Sequence, residues 1–360
     1  MRVLVVCPVH HPRDARVSER EIAALTDAGH AVTQVGPFTA FGASPLPGVR
    51  AVDIPRSHGR RRTASLRAAR RAVRSLAPDH DVVLLHSPEA LATIAGLRHP
   101  CVVWDVHEDT AAAIGMKPWL PAALAAPTAW GVRRVEHWAE RRVHLLLAEE
   151  AYADRFDRAH PVVPNAVSVP EGVPPTSRGR AVYVGSLSRA RGADDLIEVG
   201  RLLAEEGAVT LELIGGAGPE VADDLRRAAD RGWMTWHGYV ENSRALTMLE
   251  GATAGLSLLH DEPNYRHSMP TKLLEYLAHG IPFVSTPLPL AVELAERSGG
   301  GVIVPFGDSR AVRDAIMRLD GDDDMRLSMA ESGREWVRTH MNWAIEGPAF
   351  VRQLQLWSPP

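Results

Sequence analysis

Short apolar runs recur along the chain, and a polar loop and an amphipathic stretch follow most of them. The clearest runs are residues 3–7, 31–35, 82–86, 101–105, 143–148, 181–184, 209–214, 234–237, 254–259, 281–284 and 302–305. Apolar runs of this length between turn residues are typical of fully buried strands. Strands that alternate with helices predict parallel sheets covered by helices. We therefore predict an α/β fold.

The length and the proline distribution predict two domains. The chain has 360 residues, enough for two domains of ordinary size. Residues 161–179 contain five prolines and little periodicity, so they are the best candidate for a linker. We place the first domain at residues 1–164 and the second at residues 165–339.

The stretch 260–285 combines a polar loop, a helix and a buried strand. Ser268 is suited to cap the helix, and Pro270 fits its first turn, where no backbone N–H is needed. Gly280 follows the last helical residue, and Pro282 prevents continuation of the helix. The helix start would lie at the edge of a parallel sheet, where such folds bind ligands.

The chemistry of this helix is suited to a nucleotide. The free N–H groups at its start, around Met269, Pro270 and Thr271, attract anions, and Lys272 adds a positive charge suited to phosphate. Glu275 lies three residues on, on the same face, and its carboxylate can accept hydrogen bonds from a vicinal diol such as ribose. The alternative is a capped amphipathic helix with a surface Lys–Glu pair.

The segment from Ser268 to Pro282 resembles the nucleotide-sugar signature of family 4 glycosyltransferases, which reads Pro-x-Lys-x-x-Glu-Tyr followed by Gly-x-Pro. The resemblance implies the GT-B fold, with two Rossmann-like domains facing each other across a cleft. The second domain would bind the donor and the first the acceptor, and a final helix at about 340–360 would pack back on the first domain. His267 stands where many members carry a glutamate near the donor sugar, so the sugar is left open.

A second motif of the family lies near the start of the second domain. The segment from Gly185 to Gly192 resembles Gly-Arg-Leu-Ser-x-x-Lys-Gly, whose Arg and Lys hold the donor diphosphate. Arg191 takes the Lys position, and Ser186 takes the Arg position. Arg189 is a candidate substitute for the missing arginine. The alternative is a solvated loop.

The turn after the strand at 234–237 is the predicted site of the nucleobase. In relatives, the backbone of this turn often meets the base. The resemblance therefore assigns His237 and Tyr239 to the donor site.

Two histidines end neighbouring strands of the first domain. His86 ends the run at 82–86, and His107 follows the run at 101–105. Asp105-Val-His-Glu108 resembles the family's Asp-x-His-Asp/Glu segment, whose His lies near the donor sugar. We predict His107 first and His86 second as catalytic residues, although a histidine at a strand end is more often structural.

The loop after the first strand resembles a family variant with an Asp-x-Arg element, here Asp14 and Arg16. The resemblance implies that Arg16 approaches the donor phosphates or the acceptor. The alternative is that Asp14 caps the following helix and Arg16 is solvated.

Composition narrows the class of protein. With 45% hydrophobic and 23% charged residues the chain reads as a globular protein, and a net charge of −4 makes nucleic-acid binding unlikely for the whole protein. The two cysteines have neither zinc spacing nor a disulfide framework. Because Arg191, Lys272 and the helix N-terminus can stabilise a leaving diphosphate, we predict no metal and no cofactor. With no signal peptide recognised, a cytoplasmic enzyme is expected.

Residues 56–74 form a strongly basic stretch with an apolar helical stripe. We favour an ordinary surface helix. The alternative is peripheral contact with anionic lipid at the inner membrane face, because some relatives act on lipid-linked acceptors.

These features predict a retaining glycosyltransferase that moves a sugar from a nucleotide-diphosphate sugar to a hydroxyl of a glycan, a lipid-linked acceptor or a small molecule. A nucleotide-sugar 2-epimerase and an inactive nucleotide-sugar-binding partner are the alternatives, the latter suggested by Ser186 and His267. A dehydrogenase is disfavoured because Val221 stands where a dinucleotide fingerprint needs its third glycine. The sequence leaves the sugar, base, acceptor, oligomeric state and pathway open, with polysaccharide and natural-product biosynthesis both possible.

Overall fold

The computed structural model describes residues 1–114 and 122–359, apart from the side chains of residues 60, 113, 114 and 122. The chain divides into two compact units, which we describe separately. The first unit comprises Met1–Asn165 together with Ala344–Pro360, and the second comprises Ala166–Trp343. Each contains a six-stranded sheet, and all the strand pairs are parallel.

The first sheet has the order β3-β2-β1-β4-β5-β6, which is the strand order of the Rossmann fold. Its strands are β1 (Arg2–Val6), β2 (Ala31–Gly36), β3 (Arg50–Asp53), β4 (Val82–His86), β5 (Val102–Val106) and β6 (His144–Leu147). The apolar runs predicted five of these strands. They missed β3, a largely exposed strand at the sheet edge that has no buried face to produce such a run.

Helices cover this sheet. A π-helical stretch, Ala15–Ile22, leads into α1 (Ala23–Asp27), and α2 (Phe38–Phe41), α3 (Arg62–Leu76), α4 (Thr110–Ile114) and α5 (Ala122–Glu140) follow. The predicted basic helix is α3. It buries Ala69 and Val73 in the core of the unit, and Arg70 donates to the Ala95 carbonyl. No helix of the described chain is long and apolar enough to cross a membrane.

The second sheet repeats the same order, as β12-β11-β10-β7-β8-β9. Its strands are β7 (Arg180–Val184), β8 (Thr210–Ile214), β9 (Thr235–Trp236), β10 (Ala254–Ser257), β11 (Phe283–Ser285) and β12 (Gly301–Ile303). The helices of this unit are α6 (Ala193–Glu206), α7 (Pro219–Asp230), α8 (Asn242–Leu249), α9 (Thr271–Ala278), α10 (Pro289–Ser298), α11 (Ser309–Gly321) and α12 (Asp323–His340). The order reverses between β7 and β10, which is where such sheets bind ligands.

Helix α9 is the helix predicted from the stretch 260–285, but it begins later than expected. Pro270 occupies the N-cap position in an extended conformation, and no side chain caps the helix. The prediction that Ser268 caps it is therefore wrong. The extended Pro270 moves the first helical residue to Thr271, out of reach of a conventional cap from Ser268.

Tyr276 fixes α9 to the centre of the sheet. Its hydroxyl donates to the Leu256 carbonyl and accepts from the Val184 N–H, both at 3.0 Å. Gly255 lets the ring approach, since a Cβ there would lie 2.3 Å from a ring carbon. The helix is thereby tied to the two strands at which the order reverses.

Helix α13 (Trp343–Trp357) completes the first unit. Phe350 is fully buried, and the Trp357 ring stacks on His144 with the ring centroids 4.5 Å apart. Leu356 on the same helix is 78% exposed. The first unit is thus built from two distant parts of the chain.

We expect Phe350→Ala to lower the free energy of unfolding by about 3–5 kcal/mol, since it removes a fully buried ring and leaves a cavity. Leu356→Ala on the same helix is the control and should change it by less than about 0.5 kcal/mol. Urea titration of both variants measures the difference. Equal changes in the free energy of unfolding of the two variants would show that α13 does not contribute a core residue.

Candidate functional site

Two glycine turns shape the end of the second sheet. Gly185 follows β7 with φ +121°, and Gly215 follows β8 with φ +153°. A Cβ on Gly215 would lie 1.9 Å from the Gly185 carbonyl oxygen, and one on Gly185 would lie 3.4 Å from Lys272 Nζ. The turns therefore approach each other closely, and the space beside Gly185 is left to the lysine.

Lys272, in the first turn of α9, has a buried amino group without a hydrogen-bond partner among the described residues. Its side chain is 8% exposed, and its Nζ lies 3.6 Å from the centroid of the Tyr183 ring. That nitrogen forms no hydrogen bond with the described residues. Burial, followed by the Arg191 charge, holds the Lys272 pKa well below its ordinary value, although Glu275 acts in the opposite direction.

Arg191 is the second cation at this position. Its side chain is half-buried, and its guanidinium forms no hydrogen bond or ion pair with the described part of the chain. Its charge acts on both Lys272 and Tyr183. Two neighbouring positive charges without a hydrogen-bonded anion are suited to bind one.

Arg189, two residues earlier, has a different environment. Its guanidinium is exposed and pairs with Asp194 at 2.5 Å and Asp224 at 3.4 Å. Its predicted use as a substitute for the arginine missing at Ser186 is therefore not supported. The Ser186 carbonyl instead accepts a hydrogen bond from the Tyr183 hydroxyl.

The start of α9 adds the positive end of a helix dipole. Because no side chain caps it, the first N–H groups of the helix, at Thr271 and Lys272, are open to a ligand. Met269 and Thr271 are half-buried beside Pro270. Glu275 lies one turn further along with only 8% of its surface exposed.

The remaining predicted donor residues lie on loops of the same unit. His237 is exposed and its Nε2 lies 3.2 Å from a Glu212 carboxylate oxygen. Tyr239 is 68% exposed, and a Cβ on Gly216 would lie 3.8 Å from Tyr239 Cβ. His267 is an exposed turn residue.

The predicted residues of the first unit are organised by Asp105, at the end of β5. The Arg16 guanidinium donates to it at 2.6 and 2.9 Å, and the nearest Arg16–Glu21 contact is 3.1 Å. Despite burial, the Arg16 charge holds the Asp105 pKa well below its usual range. Burial, with Asp105 nearby, raises the Glu21 pKa.

This network revises the predictions for Asp14 and Arg16. Asp14 caps the π-helical stretch by accepting from the Arg16 and Val17 N–H groups. Arg16 is 5% exposed, so it is neither solvated nor free for phosphate. A long-range pairing with Asp105, which the local motif does not reveal, holds it instead.

His86 also belongs to this network and is fully buried. Its Nδ1 lies 3.2 Å from Asp105 and its Nε2 lies 3.4 Å from Glu21. Burial lowers its pKa. The predicted catalytic role of His86 is therefore not supported, because its ring is fully buried and faces Asp105 and Glu21.

His107 keeps access to the outside of the network. Its Nδ1 lies 2.8 Å from Asp105 Oδ2, and its side chain is 10% exposed. It lines a small cavity at the end of the strands together with His10, Ser87, Pro88, Trp104, Asp105, Val106 and Glu108. His107 is thus the better placed of the two predicted histidines.

The sequence analysis missed His10 and Ser87. The His10 ring centroid lies 4.9 Å from that of His107, and its Nε2 lies 3.8 Å from Glu108 Oε1. Although burial lowers the His10 pKa, Cys7 and Glu108 raise it well above its ordinary value overall. His10 follows β1 and Ser87 follows β4, and the strand order of the sheet reverses between these two strands. Because parallel sheets bind ligands at such a reversal, the sequence could have predicted both residues.

Ser87 has an unusual conformation. With φ +90° it is the sole residue other than glycine with positive φ in residues 1–114 and 122–359. Its hydroxyl is buried and forms no hydrogen bond with the described residues. Backbone strain and a buried polar atom without a partner are typical of functional sites.

We expect Lys272→Met to raise the free energy of unfolding near pH 7 by roughly 1–3 kcal/mol, because it removes a buried charge that lacks a hydrogen bond. In the unfolded chain the Lys272 pKa returns to its ordinary value, 10.5. The folded protein then binds fewer protons than the unfolded chain, so this lysine costs more stability as the pH falls below that value.

The increase in the free energy of unfolding caused by Lys272→Met should therefore become smaller as the pH rises towards 10.5. Urea titrations at several pH values measure it, with the exposed Arg266→Met as control. A pH-independent loss of stability in Lys272→Met would contradict the assignment.

Comparisons with known proteins agree with this architecture. Residues 178–322 match the family model described as glycosyl transferases group 1. No curated protein matches the chain. Among solved structures, sucrose-phosphate synthase from Thermosynechococcus elongatus is 17% identical, with a TM-score of 0.75 over 99% of this chain and 100% of that one.

Two further structures show the same fold. WaaG, a glycosyltransferase involved in lipopolysaccharide biosynthesis, is 13% identical, with a TM-score of 0.71 over 97% of this chain and 98% of that one. HepE from Anabaena, in complex with UDP-glucose, is 15% identical, with a TM-score of 0.71 over 99% and 100%. The two units have the GT-B fold of these structures, and the family match of residues 178–322 supports a glycosyltransferase domain in the second unit.

Proposed function

We propose that the protein is a retaining glycosyltransferase of the family 4 type, which transfers a sugar from a nucleotide-diphosphate sugar to an acceptor hydroxyl without using a metal ion. The observation that carries this proposal is the pair of basic residues Lys272 and Arg191, which form no hydrogen bond with an anion among the described residues and lie near the start of α9. A diphosphate is the anion that best fits two adjacent positive charges and an uncapped helix start.

The same groups can assist departure of the diphosphate. When the bond between the sugar and the diphosphate breaks, negative charge develops on the leaving oxygens. Lys272, Arg191 and the helix dipole are proposed to stabilise it, and each such interaction is stronger where water is excluded. Two protein cations supply the positive charge that a metal ion would otherwise provide.

Glu275 is proposed to orient the nucleotide. It lies one turn along α9 from Lys272, and its carboxylate can accept both hydroxyls of a ribose. Structures of HepE with UDP and with UDP-glucose support a nucleotide-sugar donor for this fold. Tyr239 and His237 remain proposals for the base, and His267 for the donor sugar.

His107 is proposed to steady the transferred sugar or the acceptor. Asp105 is ionised, because its pKa is held low, so it accepts the hydrogen bond from His107 Nδ1–H. The Nε2 of His107 is then the nitrogen left to accept a hydrogen bond from a hydroxyl. A glycan, a lipid-linked molecule and a small molecule are all acceptable partners, and membrane contact through residues 56–74 stays a prediction of the sequence.

We expect Arg191→Ala to weaken binding of the cognate nucleoside diphosphate by roughly ten- to a hundredfold, since hydrogen bonds to charged groups contribute about 1.5–3 kcal/mol. Arg189→Ala is the matched control and should leave affinity unchanged, because Asp194 and Asp224 hold that side chain. Calorimetric titration of wild type and both variants with UDP, GDP, ADP and dTDP measures the difference. No binding to any of these, or equal losses in both variants, would contradict the donor site.

We expect transfer to give a product with the anomeric configuration of the donor and to continue in excess EDTA. His107→Ala should lose at least about tenfold in rate, the equivalent of one hydrogen bond of about 1.4 kcal/mol. The exposed His58→Ala is the control. Anomeric proton couplings of the product decide retention.

Three other outcomes of this assay contradict the proposal in different ways. An inverted product would overturn retention. Conversion of the donor without an acceptor would favour an epimerase. Loss of transfer in EDTA would overturn metal independence.

A further inference from the structure

Three side chains at the end of the first sheet have the spacing of a metal site. His10, His107 and Glu108 each offer one ligand atom, and these atoms lie within 4.8 Å of one another. His10 follows β1, and the other two follow β5. Two imidazoles and one carboxylate form a ligand set that Zn²⁺ takes in catalytic sites, where water completes the coordination.

The hydrogen bonding around His107 favours a metal. Its Nδ1 is bonded to Asp105 at 2.8 Å, and Arg16 holds that carboxylate in turn. A histidine bonded to a carboxylate through one nitrogen has a fixed orientation and a more basic second nitrogen, the usual arrangement of histidines that bind metals. His107 Nε2 is therefore prepared as a ligand.

The other two ligands are partly exposed to solvent. Cys7 Sγ lies 3.7 Å from His10 Nδ1, whereas His10 Nε2 lies on the side of Glu108. The Glu108 side chain is 60% exposed, so an ion can reach it from solvent. Ser87, which lines the same cavity, has a buried hydroxyl that can bond to a water on the ion.

A neighbouring group of similar spacing is less suitable. His86, Asp105 and His107 also place their ligand atoms within 4.8 Å of one another. However, Arg16 already occupies both oxygens of Asp105, and His86 is fully buried. An ion there would have to displace the Arg16 pairing.

We propose that His10, His107 and Glu108 bind a single Zn²⁺, and that the bound ion inhibits sugar transfer by occupying Nε2 of His107. The inhibition rests on the proposed function of His107, whereas the binding does not. Under the proposed function transfer needs no metal, so the ion acts as an inhibitor that competes with the sugar or the acceptor for this nitrogen.

The binding is tested with untagged protein that has been freed of metal by a chelator and dialysed at pH 8, where protons compete less for imidazole. Co²⁺ serves as a coloured probe, and Zn²⁺ affinity is measured in competition with a chromophoric chelator. We expect one ion per chain in wild type and in the control His58→Ala. His10→Ala and Glu108→Gln should each bind at least about tenfold more weakly, as expected when the surroundings of a metal are damaged.

Thermal unfolding without metal shows whether each variant is folded. The Glu108 side chain is exposed, so Glu108→Gln removes a ligand without changing the core. No bound Co²⁺ spectrum in wild type, or equal affinities in wild type and both ligand variants, would overturn the site.

The inhibition is tested in the transfer assay. Zn²⁺ should inhibit wild type and His58→Ala, EDTA should reverse it, and His10→Ala and Glu108→Gln should resist it. Binding without inhibition would overturn the regulatory part alone. Absence of any sugar transfer would contradict the proposed function, while the Co²⁺ titration would still decide the metal site.

Discussion

The Lys272 ammonium lies inside the second unit, against the Tyr183 ring and near the Arg191 charge, without a hydrogen-bonding partner among the described residues. Burying such a charge is unfavourable, so other interactions must hold the helix that carries it. Tyr276 does this by bonding to β7 and β10 at the centre of the sheet. The glycine turns after β7 and β8 approach each other closely and leave the space beside Gly185 to the lysine. The stability lost in the empty protein is recovered as affinity when an anion binds.

In the first unit, by contrast, the buried charges are paired with one another. Asp105 gathers Arg16, His86 and His107 around one carboxylate, so the charges compensate one another before any ligand arrives. Such a network fixes the orientation of His107 and determines which ring nitrogen carries the proton. The two units thus differ in their chemistry. The second holds positive charge without a hydrogen-bonded anion among the described residues, and the first presents an oriented imidazole.

Local patterns were sufficient to predict the parallel sheets, helix α9 and the positions of Lys272 and Glu275, because apolar runs and short motifs report on neighbours in the chain. The failures at Arg16, His86 and Arg189 were non-local. Arg16 pairs with a residue 89 positions away, and no feature of the Asp-x-Arg element reveals that partner. His86 was placed correctly at a strand end, but burial from the surrounding elements decides its access. Arg189 differs from Arg191 because it pairs with aspartates of α6 and α7, and these aspartates lie outside the motif.

Because helix α13 belongs to the first unit, that unit is complete only after the second unit has been synthesised. A ribosome makes residues 1–165 first, but the core of that unit also needs Phe350 and the Trp357 ring, which emerge only after the whole second unit. Since domains tend to fold as they emerge, the second unit can mature on the nascent chain while the first waits with an uncovered apolar surface. Early termination of translation would therefore leave a polypeptide whose leading half is prone to aggregate, although every residue of its sheet is present.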